Sequence, residues 1–182
     1  MVSAISMVAG LGEGLGRRRA SGASALPAGR KGRGAVVAAA AVSFLGLYLA
    51  SPEERIAMIR EGIPAAEAKR IVGELFATQG AALEALKLST ATVNKKAKLG
   101  ERLSPEESER VFGIARLVGQ VEAMVAESGD PAGFDARAWM GRWLGEPLAA
   151  LGGVRPADLM DTMEGQGLVS AVLARMQSGA YG

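Results

Sequence analysis

From residue 51 onward, apolar positions recur at helical rather than strand spacing, and a series of helices follows from that pattern. Ser51-Pro52-Glu53-Glu54 is a capping box with proline at the first helical position. A helix therefore starts there, carries Ile56 and Ile59 on its apolar side, and stops at Gly62. Ile63-Pro64 opens another helix through Ile71, Val72, Leu75 and Phe76. Residues 80–86 and 90–98 read as two short helices joined by a tight turn at Leu88-Ser89, with Leu83, Leu86, Leu88 and Val93 as their shared core. Ser104-Pro105-Glu106-Glu107 is a second capping box. The helix it starts places Val111, Ala115, Val118, Val121 and Val125 on one face, with Phe112 and Ile114 beside it, and runs to about Glu127. Ser128-Gly129-Asp130-Pro131 ends it.

A shorter helix over 134–144 stacks Trp139 on Trp143 at i, i+4, and this pair reads as the bulky core of a small bundle rather than a ligand surface. The turn over 151–156 feeds a helix over 156–162. The last helix, about 164–177, presents Leu168, Val169, Val172, Leu173 and Met176. The expected fold class is all-α: a small helical front domain with a helix-turn-helix-like pair, followed by a second helical domain.

The first fifty residues break this texture. Residues 1–34 are rich in Gly, Ala, Ser and Arg and show no apolar period, so they read as an arm that is flexible in isolation. Gly10, Gly12, Gly14 and Gly16 lack both the dinucleotide spacing and a Gly-Lys-Ser/Thr ending, so they do not form a nucleotide loop. Residues 35–50 are apolar and uncharged with basic residues upstream, the layout of a signal peptide or short anchor. The run is Ala-rich and shorter than the about 18 residues a membrane span needs. It therefore reads as a buried helix or strand, or a dimer contact, and no membrane association is expected.

Composition narrows the chemistry. The chain has 182 residues, 49% of them hydrophobic and only 4% aromatic, so its core must come mainly from Ala, Leu, Val and Met. It contains no Cys and no His. Disulfides, thiolate catalysis and Cys/His zinc sites are excluded, as is imidazole general-base catalysis. No cofactor and no metal are expected, and a cytoplasmic location is compatible with the missing Cys. The net charge of +2 conceals a gradient: +5 over residues 1–50, +2 over 51–100 and −5 over 101–182. A basic front and an acidic back point to a nucleic-acid-facing part joined to a part with another task. In the helix-turn-helix-like pair, Ser89 caps the second helix. Thr90, Thr92, Asn94, Lys95, Lys96 and Lys98 supply the groups that read base edges and phosphates. A solvated amphipathic helix with a basic face has the same pattern.

Leu103-Ser104-Pro105-Glu106-Glu107-Ser108-Glu109-Arg110 resembles the LSPEES-x-R signature that opens the toxin-binding domain of Xre/MbcA/ParS antitoxins. The rest of that pattern follows in order: Trp143-Leu144, Pro147, Leu151-Gly152-Gly153, Pro156 with Leu159, Asp161-Thr162, Gly165, Val169, Leu173 and Gly179. Residues 89–96 stand where members carry a Thr-Leu-x-Arg-Arg-like segment, and the first fifty residues match no part of the pattern.

Composition sets apart an arm with an apolar segment (1–50), and the resemblance implies two further parts: a DNA-binding and dimerisation domain (51–100) and a toxin-binding domain (101–182). It implies an antitoxin, not an enzyme, that forms homodimers and binds its own promoter. Its partner would be a RES-domain toxin that consumes NAD by phosphorolysis, hydrolysis or ADP-ribosyl transfer. The inhibitory end would comprise Leu173, Arg175, Met176, Gln177, Ser178, Gly179, Ala180, Tyr181 and Gly182, placed at the toxin's NAD pocket with Tyr181 as an aromatic anchor. Two other readings compete with this one. The first is a stand-alone DNA-binding regulator without a toxin partner. The second is a small carboxylate enzyme using Glu106 and Glu107, whose capping role already explains them.

Overall fold

The computed structural model describes residues 42–76, 78–129 and 133–178. The arm over 1–34, the start of the apolar run and Gly179, Ala180, Tyr181 and Gly182 lie outside the described residues. Eight α-helices are found among those described: α1 (Phe44–Leu49), α2 (Pro52–Glu61), α3 (Ala65–Leu75), α4 (Gln79–Ala85), α5 (Thr90–Leu99), α6 (Pro105–Glu127), α7 (Ala136–Trp143) and α8 (Met163–Gln177). Short 3-10 turns at Ala149–Leu151 and Pro156–Leu159 link α7 to α8. The pairings Pro64 with Arg102 and Leu148 with Val154 are isolated bridges, and no strand forms among the described residues. The fold is all-α.

Local chemistry sets the helix starts. Ser51 Oγ accepts from the Glu54 backbone N–H at 3.2 Å, and the Glu54 carboxylate accepts from the Ser51 N–H at 2.8 Å. Ser104 and Glu107 repeat the exchange at 3.2 and 2.8 Å. Each box satisfies two donors that a helix start leaves open. The predicted helix over 156–162 is shorter than expected. Only Pro156–Leu159 winds, as a 3-10 turn, because Met160 tucks completely into the core and Thr162 serves as the N-cap of α8.

The 23-residue α6 is the axis of the molecule, touching α1, α2, α3, α7 and α8. Its length is buried through Val111, Ile114, Ala115, Leu117, Val118 and Val121. Two glycines on α6 let neighbours approach unusually closely. A Cβ at Gly119 would fall well inside contact distance of the Phe44 carbonyl oxygen on α1 and 2.8 Å from Tyr48 Cβ. A Cβ at Gly113 would occupy the place of the Gln166 side-chain amide on α8. Opposite that gap, the buried Gln166 Nε2 donates to the carbonyls of Met160 at 3.0 Å and Arg110 at 3.3 Å. Further along, Ser170 Oγ donates to Gln120 Oε1 at 2.7 Å, and Gln120 Nε2 donates to the Ser170 carbonyl at 3.1 Å.

Within the apolar run of 35–50, residues 44–49 form α1, with Phe44 and Leu47 buried. A charge network fastens it to α3. Arg70 donates to Glu67 and Glu74 and to the Val42 carbonyl, and its guanidinium lies 5.9 Å from the centre of the Phe44 ring. The hydrogen bond from Arg70 holds the Glu67 carboxyl below its ordinary pKa against the opposing effect of burial. Arg137 joins the network from α7 at 3.2 Å from Glu74. The Trp pair behaves as core, with Trp143 buried and stacked on the half-buried Trp139 at 5.6 Å. No helix among the described residues is long and apolar enough to cross a membrane.

Candidate functional site

The front half ends in a pair of short helices, α4 and α5, held together by Leu83, Leu86, Leu88 and Val93, all buried as the pattern predicts. The Ser89 hydroxyl caps α5 by accepting from the Thr92 N–H at 3.3 Å. With Val93 turned inward, Asn94, Lys95 and Lys98 project from the opposite side of α5, and Lys95 and Lys98 are exposed. Thr90 lies exposed in the first turn and Thr92 is half-buried at the edge of the face. Lys96 differs from its neighbours. Its Nζ is 2.8 Å from Glu107 Oε2 on α6, so its charge is spent on an internal ion pair. Burial opposes ionisation of Glu107, but hydrogen bonds from Lys96 and the Ser104 backbone outweigh it and keep the carboxyl below its usual range.

The segment 103–110 acts as a bracket on this pair. Leu103 is buried, and Ser108 Oγ accepts from the Ile63 N–H at 2.9 Å, joining α6 to the start of α3. Arg110 Nη1 donates to the Leu86 carbonyl at 2.9 Å and to the Lys87 carbonyl at 3.1 Å, both in the turn between α4 and α5. Sequence reasoning did not single out Lys87 or give Arg110 a role. Lys87 was legible as a basic residue beside the predicted turn. The reach of Arg110 across 23 residues was not.

In the rear half, the last two turns of α8 divide sharply. Leu173 is completely buried in the core beside Val169 and Val172, so it is not available to a partner, contrary to the expectation that it joins the inhibitory end. A single-helix reading placed it with its neighbours in sequence, whereas the helical turn points it at α6. Met176 is half-buried. Arg175, Gln177 and Ser178 are exposed, with Gln177 Nε2 donating to Glu127 on α6 at 2.8 Å and Ser178 Oγ closing on the Arg175 carbonyl at 3.0 Å. The outward face of α8 also carries Met163 and Leu168, exposed by 43% and 48%. Among the described residues, no group of three or more acidic side chains has the arrangement of a metal site.

Residues 54–116 match the Antitoxin Xre-like helix-turn-helix domain, and residues 131–179 match the Antitoxin Xre/MbcA/ParS C-terminal toxin-binding domain. A protein of Sphingobium sp. (strain YBL2), named "Prs ADP-ribosylating antitoxin", is 54% identical over 139 residues, which cover 76% of this chain and 87% of that protein. The chain belongs to the Xre/MbcA/ParS antitoxin family. It is an antitoxin of a toxin–antitoxin system with a helix-turn-helix domain. In this antitoxin the helix-turn-helix match takes in α2 to α5 and the first half of α6, so the 103–110 segment falls inside it. The toxin-binding match takes in α7, both 3-10 turns and α8.

Proposed function

We propose that this antitoxin neutralises an NAD-consuming toxin of the RES fold by placing the residues that follow α8 in its NAD pocket, and that α5 binds the promoter of its own operon. The observation that carries the first half is the name of the Sphingobium protein, because ADP-ribosylation takes its ADP-ribose from NAD. The division of α8 supports it. Leu173 anchors the helix from within, while Arg175 and Ser178 stay exposed at the point where residues 179–182 continue. A rigid helix that delivers a short Gly-Ala-Tyr-Gly segment limits the entropy lost when that segment enters a narrow cleft.

For DNA, the shared face of Asn94, Lys95 and Lys98 carries the reading, with Ser89 and Thr90 at the amino-terminal end that enters the major groove. Lys96 is left out of this set because Glu107 holds it. A homodimer presents two such faces. Its contact belongs on α1 and α2, where Leu49 (67% exposed) and Ile56 (46%) stand open. There a shallow, mainly apolar groove of about 510 Å³ is lined by Gly46, Leu49, Ala50, Ala57 and Met58, with the Glu54 side chain at it as well. No catalytic role is assigned to Glu106 or Glu107.

Two measurements test the reading. Co-expression with the toxin encoded beside it should restore growth with the full antitoxin and fail when residues 179–182 are deleted. Growth with the shortened chain would sink the pocket-occlusion mechanism. Lys95→Ala should weaken binding to the DNA upstream of its own gene and lower the slope of log affinity against log salt by about 0.9, the value for one lost phosphate contact. An unchanged slope would remove Lys95 from the interface.

A further inference from the structure

We propose that Arg110 is a positioning residue for DNA reading: from α6 it holds the turn between α4 and α5, and so fixes the angle at which α5 meets the groove. The proposal rests on the reading of α5 as the DNA-facing helix. Its starting point is the turn itself. Lys87 adopts φ +50°, the sole positive φ at a non-glycine position among the described residues. L-residues enter this left-handed region at a cost, and it persists where surrounding contacts impose it. Here the imposing contacts are visible. The Lys87 N–H donates to the Glu84 carbonyl at 2.9 Å and the Leu88 N–H to the Leu83 carbonyl at 2.7 Å. Two successive carbonyls of the turn, those of Leu86 and Lys87, are both taken by Arg110 Nη1. Both carbonyls converge on the one nitrogen Nη1, and the Nε N–H held by the Glu106 carbonyl sets the plane of the guanidinium that carries it, a second hold that an ammonium lacks.

The other end of α5 is held from the same stretch of α6. Glu107 pairs with Lys96 one turn before the C-cap at Gly100, and Arg110 lies one turn along α6 from Glu107. The helix is thus gripped near both ends by two residues of one rigid element. Base-edge hydrogen bonds need their donors placed to within a fraction of an ångström. A loose turn would let α5 pivot without unfolding it. Arg110 also donates through Nε to the Glu106 carbonyl at 3.2 Å, and its own carbonyl accepts from the buried Gln166, so the residue is fixed on both sides.

A direct phosphate contact by Arg110 is the competing explanation, and salt dependence separates the two. The test titrates the full-length chain and its Arg110→Ala variant against two duplexes across a range of salt. One carries the DNA immediately upstream of its own coding sequence, and the other is an unrelated sequence of equal length. Arg110→Ala should lose about tenfold in affinity for the upstream duplex, the value of one misplaced base contact. Its affinity for the unrelated duplex and its salt slope should not change. Unchanged upstream affinity in a folded variant would overturn the proposal. A slope reduced by about 0.9 would also overturn it, because Arg110 would then be a phosphate ligand. If Arg110→Ala fails to fold by circular dichroism, Arg110→Lys serves instead, since it keeps the charge and the apolar stem and loses the Nε N–H that sets the plane of the guanidinium. That variant should lose several-fold in upstream affinity, and parent-like discrimination would overturn the proposal. A parent chain that binds both duplexes equally would refute the DNA reading itself and the proposal with it.

Discussion

Gly119→Ala is expected to destabilise the folded chain by about 1–3 kcal/mol, the usual range for overpacking a close-packed interior. The added methyl group meets the Phe44 carbonyl oxygen and the Tyr48 Cβ on α1. Because the nearest of these is backbone, no side-chain rotation relieves the overlap, and α1 must shift away from α6. Phe44 and Leu47, which α1 buries, would lose part of their packing as it moves. Gly167→Ala on α8 is the control, since a Cβ there meets nothing within 4 Å. In a helix interior that change should stabilise by about 0.5–1 kcal/mol through backbone propensity alone. Urea unfolding of both variants measures the contrast, and equal midpoints would mean that α1 does not rest on Gly119 as described.

Leu173→Ala should cost about 2–5 kcal/mol, the range for truncating a fully buried leucine. Arg175→Ala, two residues on and exposed, should stay within about 0.5 kcal/mol of the parent. Toxin neutralisation should divide the other way. At a temperature where the Leu173 variant remains folded, it should protect cells, whereas the proposed mechanism expects Arg175→Ala to weaken protection. If thermal melts showed Leu173→Ala to be as stable as the parent, its assignment to the core would be wrong.

These two residues show what the sequence made legible and what it did not. Helix starts were readable because capping is local. Ser51 with Glu54 and Ser104 with Glu107 form the boxes their spacing announces, and Gly62 and Ser128 stand at the stops the pattern marks. The core of the α4–α5 pair was readable for the same reason, since Leu83 and Val93 on the two helices and Leu86 and Leu88 at the turn between them all lie close together in sequence. Features that depend on distant partners were hidden. Lys96 looks like any other lysine of a basic face until Glu107, eleven residues away, arrives beside it. Leu173 and Arg175 look like neighbours on one inhibitory end until the packing of α8 on α6 turns one inward and leaves the other in water. The helix expected over 156–162 was cut short by a tertiary demand, the burial of Met160, that no local signal carries.

The joint use of α6 limits how such proteins can be recombined. Its first turns grip α5 through Glu107 and Arg110, while its later turns carry Gln120, hydrogen-bonded to Ser170 of α8. A hybrid joined between residues 100 and 101 would give α5 a foreign bracket, although the incoming α8 would keep its own α6 and with it the Gln120–Ser170 pair. A join in the segment after Glu127 keeps the bracket with its own α5 but breaks the Gln120–Ser170 pair, so the exchanged piece must bring compatible residues for that face. Repertoires of operator and toxin specificities built on this scaffold should therefore change by substitution along exposed faces more readily than by exchange of whole cassettes.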